Sequence, residues 1–312
     1  MKFKVLISDS MSNVAQKTFE QNNIQCDIKT DLSEEKIIEI INDYDALIVR
    51  SATKVTKNII ESSNNLKIIG RAGAGVDNID LISAKAKNII VMNTPGGNTN
   101  ATAEHTLALI LSLLRKIPYA NESTHQGKWE KKKIKGQELS NKVIGLIGFG
   151  NVAIRLTQLL DGFNMEFQTY SKSFSNRKEK YPKIKNVSFD EILKTSDIIS
   201  FHCKSSKNGE PLIKFDQLKM MKLNSIIINT ARGNIIDEND LNKALNENII
   251  SGAAIDVYSN EPAKDNILFN NPKILLTPHI AASTNEAQII VAKMIAEQVS
   301  EYLISGNIIN NV

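Results

Sequence analysis

Cysteine is nearly absent: the chain holds two in 312 residues, Cys26 and Cys203. They are far apart and show neither CxxC nor His-Cys spacing, which excludes a disulfide framework and a structural zinc site and points to a reducing compartment. A surplus of one charge is also lacking. The 38 Lys and Arg against 34 Asp and Glu leave a formal charge of +4, and the only dense run is Lys131-Lys132-Lys133, so no nucleic-acid surface is indicated. Long apolar runs are missing too. The longest, Leu107-Ala108-Leu109-Ile110-Leu111, falls far short of the ~20 residues a bilayer-spanning helix needs, and Met1-Lys2-Phe3-Lys4 leads into a strand rather than a signal peptide. What remains, at 42% hydrophobic and 23% charged residues, has the composition of a soluble globular protein long enough for two domains. The expectation is a cytoplasmic protein that binds no metal, no membrane and no nucleic acid.

The stretch Val143-Ile144-Gly145-Leu146-Ile147-Gly148-Phe149-Gly150-Asn151-Val152-Ala153 organises the rest. A β-branched run breaks at G-x-G and continues into Ile154, Leu156, Leu159 and Leu160 at helical spacing, so it reads strand, tight turn, helix. Gly148 suits the turn, Gly150 lets backbone N–H groups approach a pyrophosphate, and a helix beginning near Asn151 aims its positive end at that anion. Ala153 stands at the third position of the fingerprint, where close helix–strand packing accepts one methyl. An ordinary glycine-containing βα turn is the plain alternative.

Before this turn, Lys4–Ile7, Ala46–Val49, Lys67–Gly70 and Ile89–Met92 read as strands separated by helical segments, one of them bracketed by Asp31 and Glu34. Ala101–Leu114 is a helix so continuously apolar that burial between domains is expected. The polar segment Tyr119–Leu139, with Trp129 and the lysine run, lacks periodicity and reads as a long excursion. After Val143, strands are expected at Phe167–Tyr170, Ile198–His202, Ser225–Asn229, Gly252–Val257 and Ile274–Thr277. Helices are expected at Phe189–Thr195 with Ser188 as cap and at Glu238–Asn246 with Asp237 as cap, followed by one long amphipathic helix, Glu286–Ile304, returning to the first block. The pattern predicts an α/β protein of two doubly wound parallel-sheet domains. A Rossmann-type nucleotide-binding domain (99–286) is inserted into a flavodoxin-like substrate domain (1–98 and 287–312).

In parallel sheets ligands bind beyond the carboxyl ends of the strands. Three such ends carry polar chemistry: Thr230-Ala231-Arg232-Gly233, Asp256-Val257-Tyr258-Ser259-Asn260-Glu261-Pro262 and Thr277-Pro278-His279. An Arg, a Glu and a His on one rim suit hydride transfer at a 2-hydroxy acid. Arg232 offers paired donors to a carboxylate and carbonyl, His279 takes or returns the hydroxyl proton, and Glu261 holds the imidazole tautomer and favours the imidazolium. Singly, each has a bland reading as a structural histidine, a turn or a surface ion pair. In the first domain Arg50-Ser51 and the glycine-rich Gly70-Arg71-Ala72-Gly73-Ala74-Gly75 also follow strands, and facing Arg232 across a cleft they would hold an anionic substrate. Solvated arginines are the alternative there.

Gly70 to Asp80, Val91-Met92-Asn93-Thr94-Pro95-Gly96-Gly97-Asn98, Gly127-Lys128-Trp129-Glu130, Ala231-Arg232-Gly233 and Ala253-Ala254-Ile255-Asp256-Val257-Tyr258 together resemble the D-isomer-specific 2-hydroxyacid dehydrogenases. The nearest branch is the D-3-phosphoglycerate dehydrogenases. The resemblance covers nearly the whole chain and implies an NAD(P)-dependent homodimeric enzyme with Arg232, Glu261 and His279 as catalytic residues. It places Asp256 near the nicotinamide carboxamide and makes Tyr119–Leu139 a dimer arm. The expected cofactor set is Ala74, Thr102, Gly148, Gly150, Asn151, Val152, Ser171, Lys172, His202, Cys203, Thr230, Ala231, Arg232, Asp256 and His279, and the expected substrate set is Arg50, Ser51, Arg71, Gly73 and Lys131.

Three departures qualify it. The chain ends at Val312 and so looks like a short form without the regulatory domain that binds serine in many relatives, so serine feedback is not expected. The family's His-x-Pro is His202-Cys203-Lys204. The strand that ordinarily ends in a ribose-binding carboxylate ends in Tyr170-Ser171-Lys172-Ser173, with Arg177 and Lys178 close behind, which leans toward NADP(H) over NAD(H) because a 2′-phosphate is repelled by a carboxylate and attracted by cations. A merely basic loop with NAD bound through its other contacts is the alternative. Oxidation of 3-phosphoglycerate, or reduction of its keto partner, leads. A glyoxylate or hydroxypyruvate reductase is the alternative enzyme, and a dinucleotide-sensing binding protein the alternative of another class.

Overall fold

In the computed structural model, which describes residues 2–206 and 208–312, every strand pairing within the two sheets is parallel. Parallel neighbours cannot be joined by a tight hairpin, so a crossover must lie between them, usually a helix. The first sheet comprises β1 (Lys4–Ile7), β2 (Gln25–Ile28), β3 (Ala46–Val49), β4 (Ile68–Arg71) and β5 (Ile90–Met92), in the order β2-β1-β3-β4-β5. Its intervening helices are α1 (Val14–Gln21), α2 (Glu34–Ile40), α3 (Lys57–Ser62) and α4 (Leu81–Ala86). The second sheet follows α5 (Thr99–Leu114) and α6 (Ile117–His125). It is built from β6 (Val143–Ile147), β7 (Glu166–Tyr170), β8 (Ile184–Asn186), β9 (Ile198–Phe201), β10 (Ile226–Asn229), β11 (Gly252–Ile255) and β12 (Ile274–Leu276), ordered β12-β11-β10-β9-β6-β7-β8. Helices α7 (Asn151–Leu160), α8 (Phe189–Thr195), α9 (Phe215–Lys219) and α10 (Glu238–Asn246) alternate with these strands, and α11 (Asn285–Ser305) closes the chain. The first order is flavodoxin-like. The second is the Rossmann order with a seventh strand.

The chain divides into two compact units, Met1–Thr99 with Ser283–Val312, and Asn100–Ala282. The return crossing therefore falls at 282/283, just ahead of the α11 cap Thr284, rather than at 286/287. Each sheet is covered on both faces, and side-chain alternation assigns the faces. In the first unit Val5, Ile7, Ile48 and Ile68 pack with α1 and α11 residues such as Phe19, Ile295 and Val299. Leu6, Leu47, Val49 and Ile69 face Ile37, Ile59 and Ile60 of α2 and α3. In the second unit Ile144, Leu146, Ile198 and Ile228 pack with Leu109, Ala153 and Leu156, and Ile147, Ile199, Phe201 and Ile227 with Ile192, Leu241 and Leu245.

Helix starts follow capping chemistry. Ser188 accepts from Glu191 N, Asp237 from Asp240 N and Thr284 from Ala287 N. At α2 the cap is Ser33, accepting from Lys36 N, rather than Asp31, which adopts φ +58° just before it. Two edge strands escape the sequence pattern. β2 is half-exposed QCDI, and β8 is a three-residue IKN with one buried side chain, so neither shows an apolar run. The excursion after α5 begins with helix α6, started by Pro118 in its first turn, where no periodicity was evident. Helix α5 is not buried all round, since Glu104 and Ala108 are exposed while Ala103, Leu109, Ile110 and Leu114 enter the second unit's core.

Helix α11 reaches the first sheet because Gly70 in β4 has no side chain; a Cβ there would lie 2.9 Å from Ile295 Cγ1 and 3.0 Å from Val299 Cγ2. Ile295 is fully buried. Ile295→Ala is expected to cost about 2–5 kcal/mol through lost burial and a residual cavity, read as a fall in urea midpoint. An unchanged midpoint would show that α11 does not hold this unit together.

Candidate active site

The turn after β6 satisfies the geometric demands of a phosphate cradle. Gly148 adopts φ +92°, and a Cβ there would lie 2.5 Å from the His202 carbonyl oxygen and 3.1 Å from Cys203 Cβ, so only glycine fits between this turn and the end of β9. Gly150 faces open space where a Cβ would meet nothing within 4 Å, and it precedes α7 without any side-chain cap. The first-turn N–H groups of a ten-residue helix are therefore left for an anion. Ala153 is fully buried in the core, as close helix–sheet packing requires. These features fit a dinucleotide pyrophosphate. Between the glycines, Phe149 packs edge-on against Phe174 and Tyr181, and its carbonyl accepts from Arg177 Nη1 at 2.9 Å. Ser171 and Ser173 lie 3.4 Å apart, hydroxyl to hydroxyl, in the loop after β7. Lys172 is exposed. Burial pushes the His202 imidazole down to about 4, so it is neutral, and its Nε2 pairs with Ser200 Oγ at 3.0 Å. Burial likewise pushes the Cys203 thiol up to about 11 and keeps it protonated.

Three loops beyond β10, β11 and β12 form the rim. The buried Asn229 at the end of β10 staples the first, donating from Nδ2 to the Arg232 carbonyl at 2.9 Å and accepting from Ala231 N at 3.1 Å. Arg232 Nη1 donates to the Ala231 carbonyl at 2.6 Å. Gly233 follows, and a Cβ there would overlap the Tyr258 backbone, so this loop is pressed against the loop after β11. That second loop presents Glu261, whose Oε1 accepts from Tyr258 N at 2.9 Å while Oε2 lies 2.6 Å from His279 Nδ1. A carboxylate only accepts, so Nδ1 carries the proton and Nε2 is the ring atom left to accept from another partner on a side chain that is 48% exposed.

His279 sits at φ +53°, an uncommon conformation outside glycine. The residues around it are held by Asp256, which is fully buried. Asp256 Oδ1 accepts from Thr277 Oγ1 at 2.6 Å and Ile280 N at 2.9 Å, and Oδ2 from Ala281 N at 3.0 Å. His105 Nε2, from α5, lies 3.2 Å from Thr277 Oγ1 and 3.5 Å from Asp256 Oδ1. Burial works to raise the Asp256 pKa, but these hydrogen bonds outweigh it and hold the carboxyl below the usual range. The same contest at Glu261 also ends lowered, burial opposed by the His279 and Tyr258 N hydrogen bonds. His279 moves up from 6.5, chiefly through its hydrogen bond to Glu261, against burial and the Arg232 charge.

The structure thus brings Arg232, Glu261 and His279 to one rim, with Thr230, Ala231 and Asp256 in the same loops. In the other unit, Arg50 and Ser51 follow β3, and Arg71, Gly73 and Ala74 end or follow β4. Arg50 Nη1 donates to the Ser10 carbonyl at 2.9 Å, and the Arg71 guanidinium occupies the space a Cβ at Gly73 would fill. Thr102 lies on the first turns of α5 and Lys131 is exposed in the excursion. Asp9 was missed by sequence reasoning. This buried residue just past β1 accepts from Arg50 N at 2.6 Å and Thr53 N at 3.0 Å and braces the Arg50 loop. Its position after a strand was the available signal. His105 and Asn229 were also missed, the first because it lies inside a helix. Among the described residues no group of three His, Cys, Asp or Glu could hold a metal ion, and no helix is long and apolar enough to cross a membrane.

The strand order and glycine turn define the second unit as a dinucleotide-binding Rossmann fold. Residues 107–281 match the family described as D-isomer specific 2-hydroxyacid dehydrogenase, NAD binding domain, and the chain belongs to this family. The D-3-phosphoglycerate dehydrogenase of Archaeoglobus fulgidus is 42% identical over 297 residues, 95% of this chain and 56% of the relative, so the chain spans about half the length of the curated relatives it matches. Among solved structures, the NAD+-bound 3-phosphoglycerate dehydrogenase of Entamoeba histolytica aligns with a TM-score of 0.84 at 27% identity, covering 100% of this chain and 99% of that one. An acyclic imino acid reductase in complex with NADPH and D-Arg aligns with a TM-score of 0.88 at 30% identity and 99% coverage of each.

The Glu261 contact makes a direct prediction. Because it raises the His279 pKa, the imidazolium persists as pH climbs past 6.5. The stability the pair contributes is present below that value and lost as pH rises through the raised one. In Glu261→Gln the ring should titrate at clearly lower pH than in the wild type, followed by NMR of its C–H resonances. Identical titration curves would remove Glu261 as the cause.

Proposed function

We propose that this chain is an NAD(P)-dependent D-2-hydroxyacid dehydrogenase that interconverts D-3-phosphoglycerate and 3-phosphohydroxypyruvate, the opening step of serine synthesis. The observation that carries this reading is the 2.6 Å contact between His279 Nδ1 and Glu261 Oε2, which leaves Nε2 as the ring's open acceptor on the same rim as Arg232. In the oxidising direction Nε2 takes the substrate's hydroxyl proton as the C2 hydride departs, and the imidazolium formed is stabilised by Glu261. In the reducing direction the same imidazolium returns the proton to the carbonyl oxygen. Arg232 supplies two-pronged donors to the substrate carboxylate and carbonyl. A bound nicotinamide accepts or supplies the hydride. Arg50, Arg71 and Lys131 are assigned to the substrate's anionic groups, the phosphate among them, in keeping with the Archaeoglobus relative. We assign the excursion after α5, with Trp129 85% exposed, to a homodimer contact, and the protein to the cytoplasm.

His279→Ala and Arg232→Ala should each lower turnover of phosphohydroxypyruvate by about 10²–10⁴-fold while the dissociation constant for the dinucleotide hardly moves. Folded variants with near-normal turnover would defeat the assignment. Wild-type kcat/KM on phosphohydroxypyruvate against glyoxylate, with Arg71→Ala alongside, tests the substrate. Arg71→Ala should raise KM for the phosphorylated keto acid far more than for glyoxylate, and equal effects would move Arg71 out of the site.

For the adenosine side we propose a preference for NADP(H). The support is the run Ser171-Lys172-Ser173 where a ribose-binding carboxylate would stand, together with Arg177, whose hydrogen bond to the Phe149 carbonyl at 2.9 Å keeps a guanidinium beside the dinucleotide turn. Hydroxyls and cations suit a 2′-phosphate. Dissociation constants for NADPH and NADH, read by fluorescence without substrate, should favour NADPH, and Ser171→Asp should cut that preference by repulsion. A tenfold preference of the wild type for NADH would sink the idea.

A further inference from the structure

The two loops that carry Arg232 and His279 are tied to consecutive residues of one helix. His105 of α5 reaches Thr277 Oγ1 at 3.2 Å, and Thr106 Oγ1 lies 2.9 Å from Thr230 Oγ1. The polarity of these contacts follows from counting protons. Thr277 spends its single hydroxyl proton on Asp256 Oδ1 at 2.6 Å, so toward His105 it can only accept, and Asp256 only accepts as well. His105 Nε2 must therefore carry a proton and donate. Thr106 donates to the Thr102 carbonyl at 2.8 Å, as helical threonines do, so its oxygen accepts the proton of Thr230. Thr106 and Asp256 are fully buried and Thr230 nearly so. A buried hydroxyl or carboxylate that loses its partner is costly, and each contact has a defined donor that can be removed singly.

We infer that His105 and Thr106 are positioning residues that set the spacing between His279 and Arg232 by fastening their loops to the same turn of α5. The inference rests on the proposed catalytic roles of His279 and Arg232. His105 acts on the 277–281 segment through Thr277 and Asp256, whose carboxylate also holds Ile280 N and Ala281 N on the far side of His279. Thr106 acts on the 230–232 segment through Thr230. Neither side chain belongs to the residues assigned to substrate or dinucleotide. A rigid helix is suited to this task because its backbone fixes adjacent side chains relative to one another, whereas the two rim loops have no regular structure of their own.

The test uses the full chain with His105→Leu and Thr106→Val, which keep approximate size and remove the donor or hydroxyl, beside the conservative His105→Gln and Thr106→Ser. Misplacement by about 1 Å can cost up to 10²-fold in turnover. His105→Leu and Thr106→Val should each lower kcat about tenfold or more while the NAD(P)H dissociation constant stays within about twofold. The Gln and Ser variants should recover to within about threefold of wild type. In the His279→Ala background, followed by single turnover at high enzyme concentration, His105→Leu should cost little more, because residues acting as a unit are strongly non-additive. Thr106→Val should behave likewise in the Arg232→Ala background. If His105→Leu does not fold, His105→Asn, whose amide stops short of Thr277, takes its place. Effects that multiply in full in those backgrounds, or variants with lowered Tm and unchanged kcat per folded site, overturn the inference. Collapse of His279→Ala and Arg232→Ala with neutral His105→Leu and Thr106→Val would overturn it while leaving the proposed function standing. Near-normal turnover of His279→Ala and Arg232→Ala would remove the reading on which both depend.

Discussion

A carboxylate with no exposed surface must have its oxygens answered by donors, and Asp256 is answered by the segment that carries His279. Burying an ionised group is costly unless it is hydrogen-bonded, and the arrangement of residues 277–281 turns Thr277 Oγ1, Ile280 N and Ala281 N toward it. His279, at φ +53° in the left-handed region, lies between residues that this carboxylate holds on both sides. The strain is local, and the donors around it over-determine it. The orientation of the His279 ring toward Glu261 thus depends on a residue that does not touch the ring through any hydrogen bond.

The reason such residues meet at all lies in the pairing of the sheet. Parallel strands place every carboxyl end along one edge, so loops distant in sequence leave β6, β9, β10, β11 and β12 side by side. The demands of that edge fall on glycine at two points. Gly148 must clear the His202 carbonyl, and Gly233 must clear the Tyr258 backbone. The first opens an anion cradle and the second lets the Arg232 loop lie against the Glu261 loop. A methyl group at either position would separate the loops that the proposed chemistry needs together.

These levels differ in how readable they were. The glycine turn, the alternation of strands and the polar residues after β10, β11 and β12 are local patterns, and periods of two and 3.6 residues reveal them directly. The caps Ser188 and Asp237 were legible for the same reason. β2 and β8 were not, because an edge strand of half-exposed polar residues has no alternation to detect. Neither was α6, whose start depends on Pro118 rather than on an apolar face. His105 is not legible at any strand end because its contact is 172 residues away in sequence and originates inside a helix. Asp256 was read as a residue near the cofactor. Its engagement by four neighbouring groups became visible only once three separate segments were in place.

In the proposed chemistry the charges on the rim bear on both directions of the reaction. Glu261 raises the proton affinity of His279, while burial and, more weakly, the Arg232 charge lower it. With Glu261 unopposed the imidazolium would release its proton reluctantly, and with burial and Arg232 unopposed the ring would hold it poorly. Opposed influences leave the ring displaced upward in proton affinity, and a histidine is the side chain whose charge such neighbours tune for general acid–base work. An anionic substrate would alter this balance in a definite sense. A carboxylate paired with Arg232 offsets the guanidinium charge that His279 feels, so binding itself should strengthen the imidazolium and favour the reducing form of the site. In the proposed reducing direction, once the imidazolium has given its proton to the new hydroxyl, the neutral ring would no longer attract the bound anion, which would ease release of the product.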